Sequence, residues 1–162
     1  MYLQVQSSKH CITGLRSAAV LWTSLPPTPG RCQGRRAEGL RFERKVQNAL
    51  EQRYSNFCPP VPIFYSDAVN PQWVGIPEGF FFQADRPEPC VVALEIKLRH
   101  SSAAWTELKG LYVPVLRKAF GLPVRSLEVV KYFEPREKCP APVVELDEFL
   151  RGDGDGVVCW EI

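Results

Sequence analysis

Residues that bind soft metals are scarce in this chain. It has only two histidines in 162 residues, and its six cysteines are scattered without a C-x-x-C pair. A zinc site made of closely spaced cysteine and histidine ligands is therefore not expected. No cysteine spacing argues for an iron–sulfur cluster either. The cysteines are most simply free, small, partly buried side chains in a reducing compartment.

Long apolar runs are also absent. No stretch approaches the ~20 apolar residues that a membrane-spanning helix needs. The apolar segment SAAVLWTSL is too short, and lies too far along the chain, for a convincing signal peptide. We therefore expect a cytoplasmic protein with no membrane partner.

The chain as a whole has no large excess of either charge, since its net charge is +2, but positive charge is concentrated locally. From residue 31 to residue 53 there are seven Arg or Lys residues against three Glu. A second basic group follows at Lys97, Arg99, His100 and Lys109. Clustered cations either bind phosphates or form a solvated helix face, and the pattern alone fits both interpretations.

The order of the predicted elements indicates one mixed α/β domain. Apolar residues at spacings of three and four predict a helix over residues 37–54. A similar apolar stripe predicts a second helix over residues 103–120. Ser101 or Ser102 is expected as its N-cap and Gly121 as its end, with a kink at Pro114. Short β-type runs separated by turn residues predict strands over 61–66, 72–76, 79–84, 90–98, 126–134 and 156–162, with a short helical turn over 145–150. We expect a single domain with a mixed, mainly antiparallel central sheet flanked by helices. Residues 1–35 are expected to be an N-terminal extension packing on a core domain of residues 36–162.

An acid and a base lie side by side in the most apolar predicted strand, CVVALEIKL. Glu95 and Lys97 are two residues apart, so their side chains share one face. A buried carboxylate is costly unless its charge is compensated. A structural ion pair is one explanation. The other is a site for a hard divalent cation, which carboxylate oxygens bind well.

Two further acids are candidates to meet Glu95. A hairpin turn centred near residue 87 or 88 would place Glu95 opposite Phe80 and Lys97 opposite Glu78. Glu78 is preferred to Asp85, which would lie ~16 Å away along a regular strand unless a bulge or bend brought it back. Glu43 occupies the apolar stripe of the first helix, where it either reaches water at the edge of the stripe or joins the other two acids.

These residues occur in an ordered set: GLRFERKV around Glu43, PEG around Glu78, and EIK from Glu95 to Lys97. The set resembles the PD-(D/E)XK nuclease superfamily, in which a helix supplies a Glu, a hairpin supplies Pro-Asp and the next strand supplies Glu-x-Lys. The stretch ELKGLY, from Glu107 to Tyr112, is similar to the Gln-Leu-x-x-x-Tyr motif of the RecB-like exonuclease branch, which also includes CRISPR adaptation nucleases. The resemblance covers residues 36–133 and implies a restriction-endonuclease-like αβββαβ core.

The resemblance also implies roles for individual residues. Glu78, Glu95 and the carbonyl of Ile96 would hold Mg²⁺ or Mn²⁺, and Glu43 would add a ligand directly or through water. Lys97 would orient or deprotonate the attacking water, or neutralise charge on the phosphate. Candidate phosphate contacts are Arg36, Arg44, Arg99, His100 and Lys109.

The leading hypothesis is therefore a metal-dependent DNA nuclease of phage or accessory DNA metabolism, without a choice between exonuclease and endonuclease. The expected partner is DNA. The sequence leaves open whether the protein also forms a homo-oligomer or joins a larger DNA-processing complex. The sequence departs from the family pattern at Glu78, where the family usually has Asp, and at Glu107, where the branch has Gln. These departures motivate a second hypothesis, a nuclease-like domain that binds DNA or a protein without cutting. A third is a structural ion pair in an ordinary α/β domain.

Overall fold

The structure is a computed structural model of the chain, and it describes residues 4–5, 12–22, 34–134 and 138–160. The strands are β1 (Gln4–Val5), β2 (Ser17–Val20), β3 (Phe57–Cys58), β4 (Ile63–Ser66), β5 (Trp73–Gly75), β6 (Phe80–Gln83), β7 (Cys90–Arg99), β8 (Val124–Tyr132) and β9 (Gly156–Cys159). The helices are α1 (Arg35–Arg53), α2 (Ser102–Glu107), α3 (Val113–Phe120) and α4 (Leu146–Arg151), and a π-helical segment, Leu108–Tyr112, joins α2 to α3.

The central sheet has five strands in the order β3-β6-β7-β8-β9. The β3–β6 and β6–β7 pairs are antiparallel, whereas β7, β8 and β9 are mutually parallel. Residues 90–96 of β7 are all buried, which explains why this strand has the longest apolar run. The prediction of a single α/β fold, with a mixed sheet and flanking helices, is confirmed, but the central sheet is not mainly antiparallel, because two of its four strand pairs are parallel.

A second, four-stranded sheet in the order β1-β5-β4-β2 was not expected. The four strands predicted between residues 61 and 98 therefore do not all belong to the central sheet, because β4 and β5 form part of this second sheet. Asp67 closes their hairpin: its Oδ1 accepts hydrogen bonds from the backbone N–H groups of Val69 and Asn70 at 2.9 and 2.8 Å. The chain then passes through residues 76–79 into the central sheet.

The β6–β7 hairpin has a different register from the predicted one. Gln83 pairs with Cys90 and Phe80 with Ala93, so the prediction that Phe80 faces Glu95 is wrong by two residues. The backbone N–H of Leu94 also donates to the Gly79 carbonyl at 3.1 Å. Continued along the chain, this register places Glu78 opposite Glu95. Because side chains alternate with a period of two, a shift of two residues keeps every side chain on its predicted face.

The second predicted helix is confirmed, with one irregularity. The Ser101 hydroxyl accepts a hydrogen bond from the Ala104 N–H at 3.1 Å, and Gly121 ends the helix with φ 64°. The π-helical turn before Pro114 changes the pairing, since the N–H of Val113 donates to the carbonyl of Leu108, five residues earlier. The wider turn gives the proline, which has no N–H, a place in the helix.

Apolar side chains form two clusters on opposite faces of β7. One contains Val92, Leu94 and Ile96 with the buried face of α1, and the other contains Val91 and Ala93 with the π-helical segment and α3. In the described part of the N-terminal region, β2 pairs with β4, and Ile12 and Leu15 pack on the second cluster. The division of the chain at residue 35 stays a prediction. Among the described helices, none is both long and apolar enough to cross a membrane.

Candidate active site

The carboxyl-terminal half of β7 carries the acid and base that the sequence singles out. The Glu95 side chain is 4% exposed, and its Oε1 lies 2.9 Å from the Nζ atom of Lys97. The Lys97 side chain is 40% exposed, so the ammonium group lies between a buried carboxylate and the surface. This contact requires the side chains of Glu95 and Lys97 to lie on one face of β7, as predicted.

Glu78 reaches the same ammonium group from the segment before β6. Its Oε1 lies 3.1 Å from Lys97 Nζ, and its Oε2 accepts a hydrogen bond from the backbone N–H of Ile96. Glu78 is 16% exposed. Asp85, the alternative acid, is exposed in the turn beyond the Gln83–Cys90 pair, at the far end of the hairpin. The preference for Glu78 over Asp85 therefore agrees with the geometry.

Glu43 joins the cluster from α1 through Gln47. The Gln47 side-chain amide donates to Glu43 Oε1 at 3.2 Å and to the backbone carbonyl of Glu78 at 3.0 Å. Gln47 is one helical turn after Glu43, so both side chains lie on the same face of α1. Three elements thus bring three carboxylates towards Lys97.

The electrostatics of the cluster are those of buried acids crowded together. Burial raises the pKa of Glu78 well above its ordinary value, and the nearby charges of Glu95 and Glu43 raise it further. Burial also raises the pKa of Glu95 to about 7, although Lys97 opposes the shift. The pKa of Lys97 is raised, despite its own burial, by the charges of Glu78 and Glu95. The single positive charge of Lys97 therefore cannot neutralise both Glu78 and Glu95 when both are ionised.

The carboxylate oxygens of this cluster are chemically suited to a hard divalent cation. The Oε1 atoms of Glu78 and Glu95 are at most about 6 Å apart, because each lies within 3.1 Å of the same nitrogen. Carboxylate oxygens are the ligands that Mg²⁺ and Mn²⁺ prefer, and a cation would offset the burial of charge that is the main cause of both raised pKa values. In the described part of the chain, however, no group of three or more His, Cys, Asp or Glu side chains already has the spacing of a metal site. The side chains would have to close around the ion, with Lys97 displaced from between them.

A groove of about 400 Å³ opens beside the cluster, between α1 and the end of β7. On the α1 side it is lined by Arg36, Gly39, Leu40 and Glu43. On the β7 side it is lined by residues 96–99 and then by Ser101. Glu43 and Lys97 are thus shared between the cluster and the groove.

The five predicted phosphate contacts have different environments. Arg36 and Arg99 line the groove, although Arg99 also forms a surface ion pair with Glu134. Arg44 is exposed on α1. Lys109 pairs with Asp155 at 2.7 Å. His100 is only 8% exposed, so it does not have the open position that a phosphate contact requires.

Sequence reasoning missed the partner of His100. The Nδ1 atom of His100 lies 2.7 Å from Oε2 of Glu128, a fully buried residue of β8 that pairs in register with Glu95. Burial raises the pKa of Glu128, while His100 opposes that shift. The signal was available, because Glu128 is an acid within the apolar run SLEVVKY, as Glu95 is within its own run.

The motif on the second helix also borders the carboxylates. Tyr112 is 7% exposed, and its hydroxyl donates to the carbonyl of Ile76 at 3.2 Å, two residues before Glu78. Burial raises the pKa of the Tyr112 hydroxyl, and so do the charges of Glu107, Glu95 and Glu78. Glu107, at the other end of the ELKGLY motif, also raises the pKa of Glu95.

Comparison with known proteins gives no relative: no family model, curated protein or solved structure matches the chain.

Proposed function

We propose that this protein is a metal-dependent DNA nuclease that hydrolyses phosphodiester bonds, with a restriction-endonuclease-like αβββαβ core formed around β7. One observation supports the proposal above the others. Glu78 and Glu95 meet at Lys97, and Glu43, from a third part of the chain, is linked to the Glu78 backbone through Gln47, beside a groove that carries two arginines. An ordinary structural ion pair needs one acid, whereas this site concentrates three.

Glu78, Glu95 and the carbonyl of Ile96 would hold Mg²⁺ or Mn²⁺, with Glu43 contributing directly or through water. When bound, such an ion polarises the scissile phosphate and lowers the pKa of a coordinated water. The backbone N–H of Ile96 orients Glu78, and Gln47 fixes Glu43 relative to the Glu78 backbone. These contacts orient Glu78 and Glu43, which would still have to close with Glu95 around an ion.

Lys97 has the charge state of an electrostatic stabiliser. Its raised pKa keeps the ammonium group protonated at neutral pH, which favours stabilising the negative charge of the phosphate over accepting a proton from water. Arg36 and Arg99 would contact flanking phosphates without regard to sequence.

The test is DNA cleavage in Mg²⁺ or Mn²⁺, with EDTA as the negative condition. Glu95→Gln and Glu78→Gln should each reduce the cleavage rate by at least ~100-fold, because each removes a ligand charge at the reacting centre. Asp85→Asn is the matched control and should cut like the unmodified protein. Equal cleavage by Glu95→Gln, or loss of cleavage in Asp85→Asn alone, would contradict the assignment.

A second function, binding DNA or a protein without cleavage, is favoured by the position of Lys97. Its ammonium group already forms ion pairs with two carboxylates, so these buried acids have a cationic partner without a metal ion. Isothermal titration with Mn²⁺ separates the two functions. The nuclease proposal requires Mn²⁺ binding that is lost in Glu78→Gln, whereas the non-cleaving alternative requires DNA or protein binding without it. A cytoplasmic location, a homo-oligomer and a larger DNA-processing complex remain predictions.

A further inference from the structure

We propose that a cavity beside the turn of the β6–β7 hairpin binds a small phosphate-bearing anion between Arg86 and Arg125. Arg125 pairs in register with Val92, so both side chains lie on the face of the central sheet that packs against α1. The side chains of Glu95 and Lys97 lie on the opposite face. A ligand in this cavity would therefore bind independently of DNA cleavage, which goes beyond the proposed function.

Two guanidinium groups converge on one acceptor at this cavity. The Nη1 atoms of Arg86 and Arg125 donate to Oε1 of Gln83 at 3.1 and 2.8 Å, so they lie no more than about 6 Å apart. Arg125 is only 7% exposed, and its pKa is lowered by burial and by the charge of Arg86. An anion that contacts both groups would offset the burial of one charge and the repulsion between the two.

The acids beside these arginines are exposed to solvent. Asp153 forms an ion pair with the Nη2 atom of Arg86, but its side chain is 95% exposed. Glu88, which also lines the cavity, is exposed as well. Because exposed ion pairs contribute little to stability, an anion from solution can replace Asp153 at small cost. A Cβ atom at Gly154 would meet no atom within 4 Å apart from its chain neighbours, so the loop that carries Asp153 has room to move.

The cavity has the size and the walls of a small-ligand site. Its volume is about 430 Å³, and its lining includes both arginines together with Pro87, Cys90 and Pro123. Small-molecule sites measure ~300–1,000 Å³ and combine apolar surface with a few fixed polar groups. The rings of Pro87 and Pro123 restrict the backbone on two sides, which keeps the cavity formed without a ligand.

The donor geometry favours phosphate among small anions. An arginine side chain presents five N–H groups in a rigid fork that fits the oxygens of a phosphate. Within the described residues, three N–H groups of Arg86 have acceptors, which belong to Gln83, Gly152 and Asp153. Two N–H groups of this side chain therefore remain for a ligand. A phosphate in place of Asp153 would accept charge-assisted hydrogen bonds from Arg86 and lie beside the charge of Arg125.

The test is calorimetric titration of inorganic phosphate into the protein, in EDTA and at constant ionic strength. The unmodified protein should bind phosphate with a dissociation constant below ~1 mM. Arg86→Gln should weaken binding by at least ~10-fold, because it removes a charged donor. Asp153→Asn should strengthen binding by ~3-fold or more, because it removes the carboxylate that competes for Arg86. Arg117→Gln and Glu51→Gln, at exposed positions of α3 and α1, are the matched controls and should bind like the unmodified protein.

Asp153→Asn is the decisive variant, because its exposed side chain can be changed without disturbing the packing. If the Arg86–Asp153 pair is only structural, this change brings no gain in phosphate affinity, and the proposal is wrong. Absence of saturable binding by the unmodified protein, or equal effects of Arg86→Gln and Arg117→Gln, would overturn it too.

Two further titrations identify the ligand and separate this site from the carboxylates. AMP, a phosphate monoester, is compared with inorganic phosphate: tighter binding of AMP assigns the site to an ester, and any other result assigns it to the free anion. Glu95→Gln should bind phosphate like the unmodified protein. Loss of phosphate binding in Glu95→Gln would overturn the separate site, whereas failure of DNA cleavage leaves this result unaffected.

Discussion

Glu95 is a carboxylate whose burial makes folding stability depend on pH. Its pKa is about 7 in the folded protein against an ordinary value of 4.5, and burial is the main cause. Between these two values the folded state holds a proton that the unfolded chain releases. The contribution of this group to stability is therefore complete below pH 4.5 and is lost as the pH rises to 7.

Replacing Glu95 with Gln removes that dependence. In EDTA, the unfolding free energy of Glu95→Gln relative to the unmodified protein should increase by roughly 1–3 kcal/mol between pH 4.5 and pH 8. Lys97 keeps Glu78 as its partner in this variant. Urea unfolding at several pH values measures the effect, and Glu88→Gln, in the exposed hairpin turn, is the control. A difference that is constant with pH would contradict the buried, ionisable state of Glu95.

At the scale of elements, the segment that carries Glu78 depends on Gly79. This residue has φ 145°, and an added Cβ would meet the ring atoms Cε2 and Cζ of Phe57 at 2.6 Å. Gly79→Ala should destabilise the protein by about 2–4 kcal/mol, through backbone strain and the clash with a buried ring. Thermal or urea unfolding measures this loss.

Gly110→Ala is the matched control for this change, since no atom outside the local helix backbone lies within 4 Å of the added methyl group, and it should leave stability unchanged or slightly higher. A Phe57→Leu change in the Gly79→Ala background should restore part of the loss, because it removes the ring that the new Cβ meets. Equal effects of Gly79→Ala and Gly110→Ala would show that the tight approach to Phe57 does not exist in solution.

The elements also show which features a sequence can predict. Helix limits follow from local chemistry, as at Ser101 and Gly121, and strand faces follow from alternation. The hairpin register does not, because a turn lengthened by two residues preserves every face and leaves the same pattern in the sequence. The true register is the one that places Glu78 opposite Glu95.

Long-range pairing was the other limit. Nothing in the residues of β4 and β5 indicates that β2, more than 40 positions earlier, completes their sheet. The acid of β8 illustrates a subtler failure. Glu128 has the same apolar surroundings as Glu95, but its pairing with that residue depends on a parallel crossover that follows only from the assembled fold.

In the molecule as a whole, the two ends of the central sheet have different contents. The carboxyl end of β7 holds the crowded carboxylates, whose pKa values are raised. The opposite end holds Arg125, which is 7% exposed and lies over the Phe149 ring, 4.1 Å from its centre. Its Nε and Nη1 atoms donate to the Gly154 carbonyl and to Gln83 Oε1 at 2.9 and 2.8 Å. The carboxyl end crowds buried acids, whereas the buried arginine of the opposite end has hydrogen-bond acceptors, which is the arrangement expected when stability offsets the cost of a site.

Separate variants can therefore change stability and activity independently. Arg125→Lys loses the planar fork that joins β8, the β6–β7 hairpin and the loop before β9, and leaves buried acceptors unpaired. It should lower the unfolding free energy by about 2–4 kcal/mol. Its Mn²⁺ affinity and its cleavage rate below the unfolding temperature should match those of the unmodified protein. Arg117→Lys, on the exposed face of α3, is the control and should change neither quantity. Loss of Mn²⁺ affinity in folded Arg125→Lys would show that the two ends of the sheet are coupled, and the separation proposed for them would be wrong.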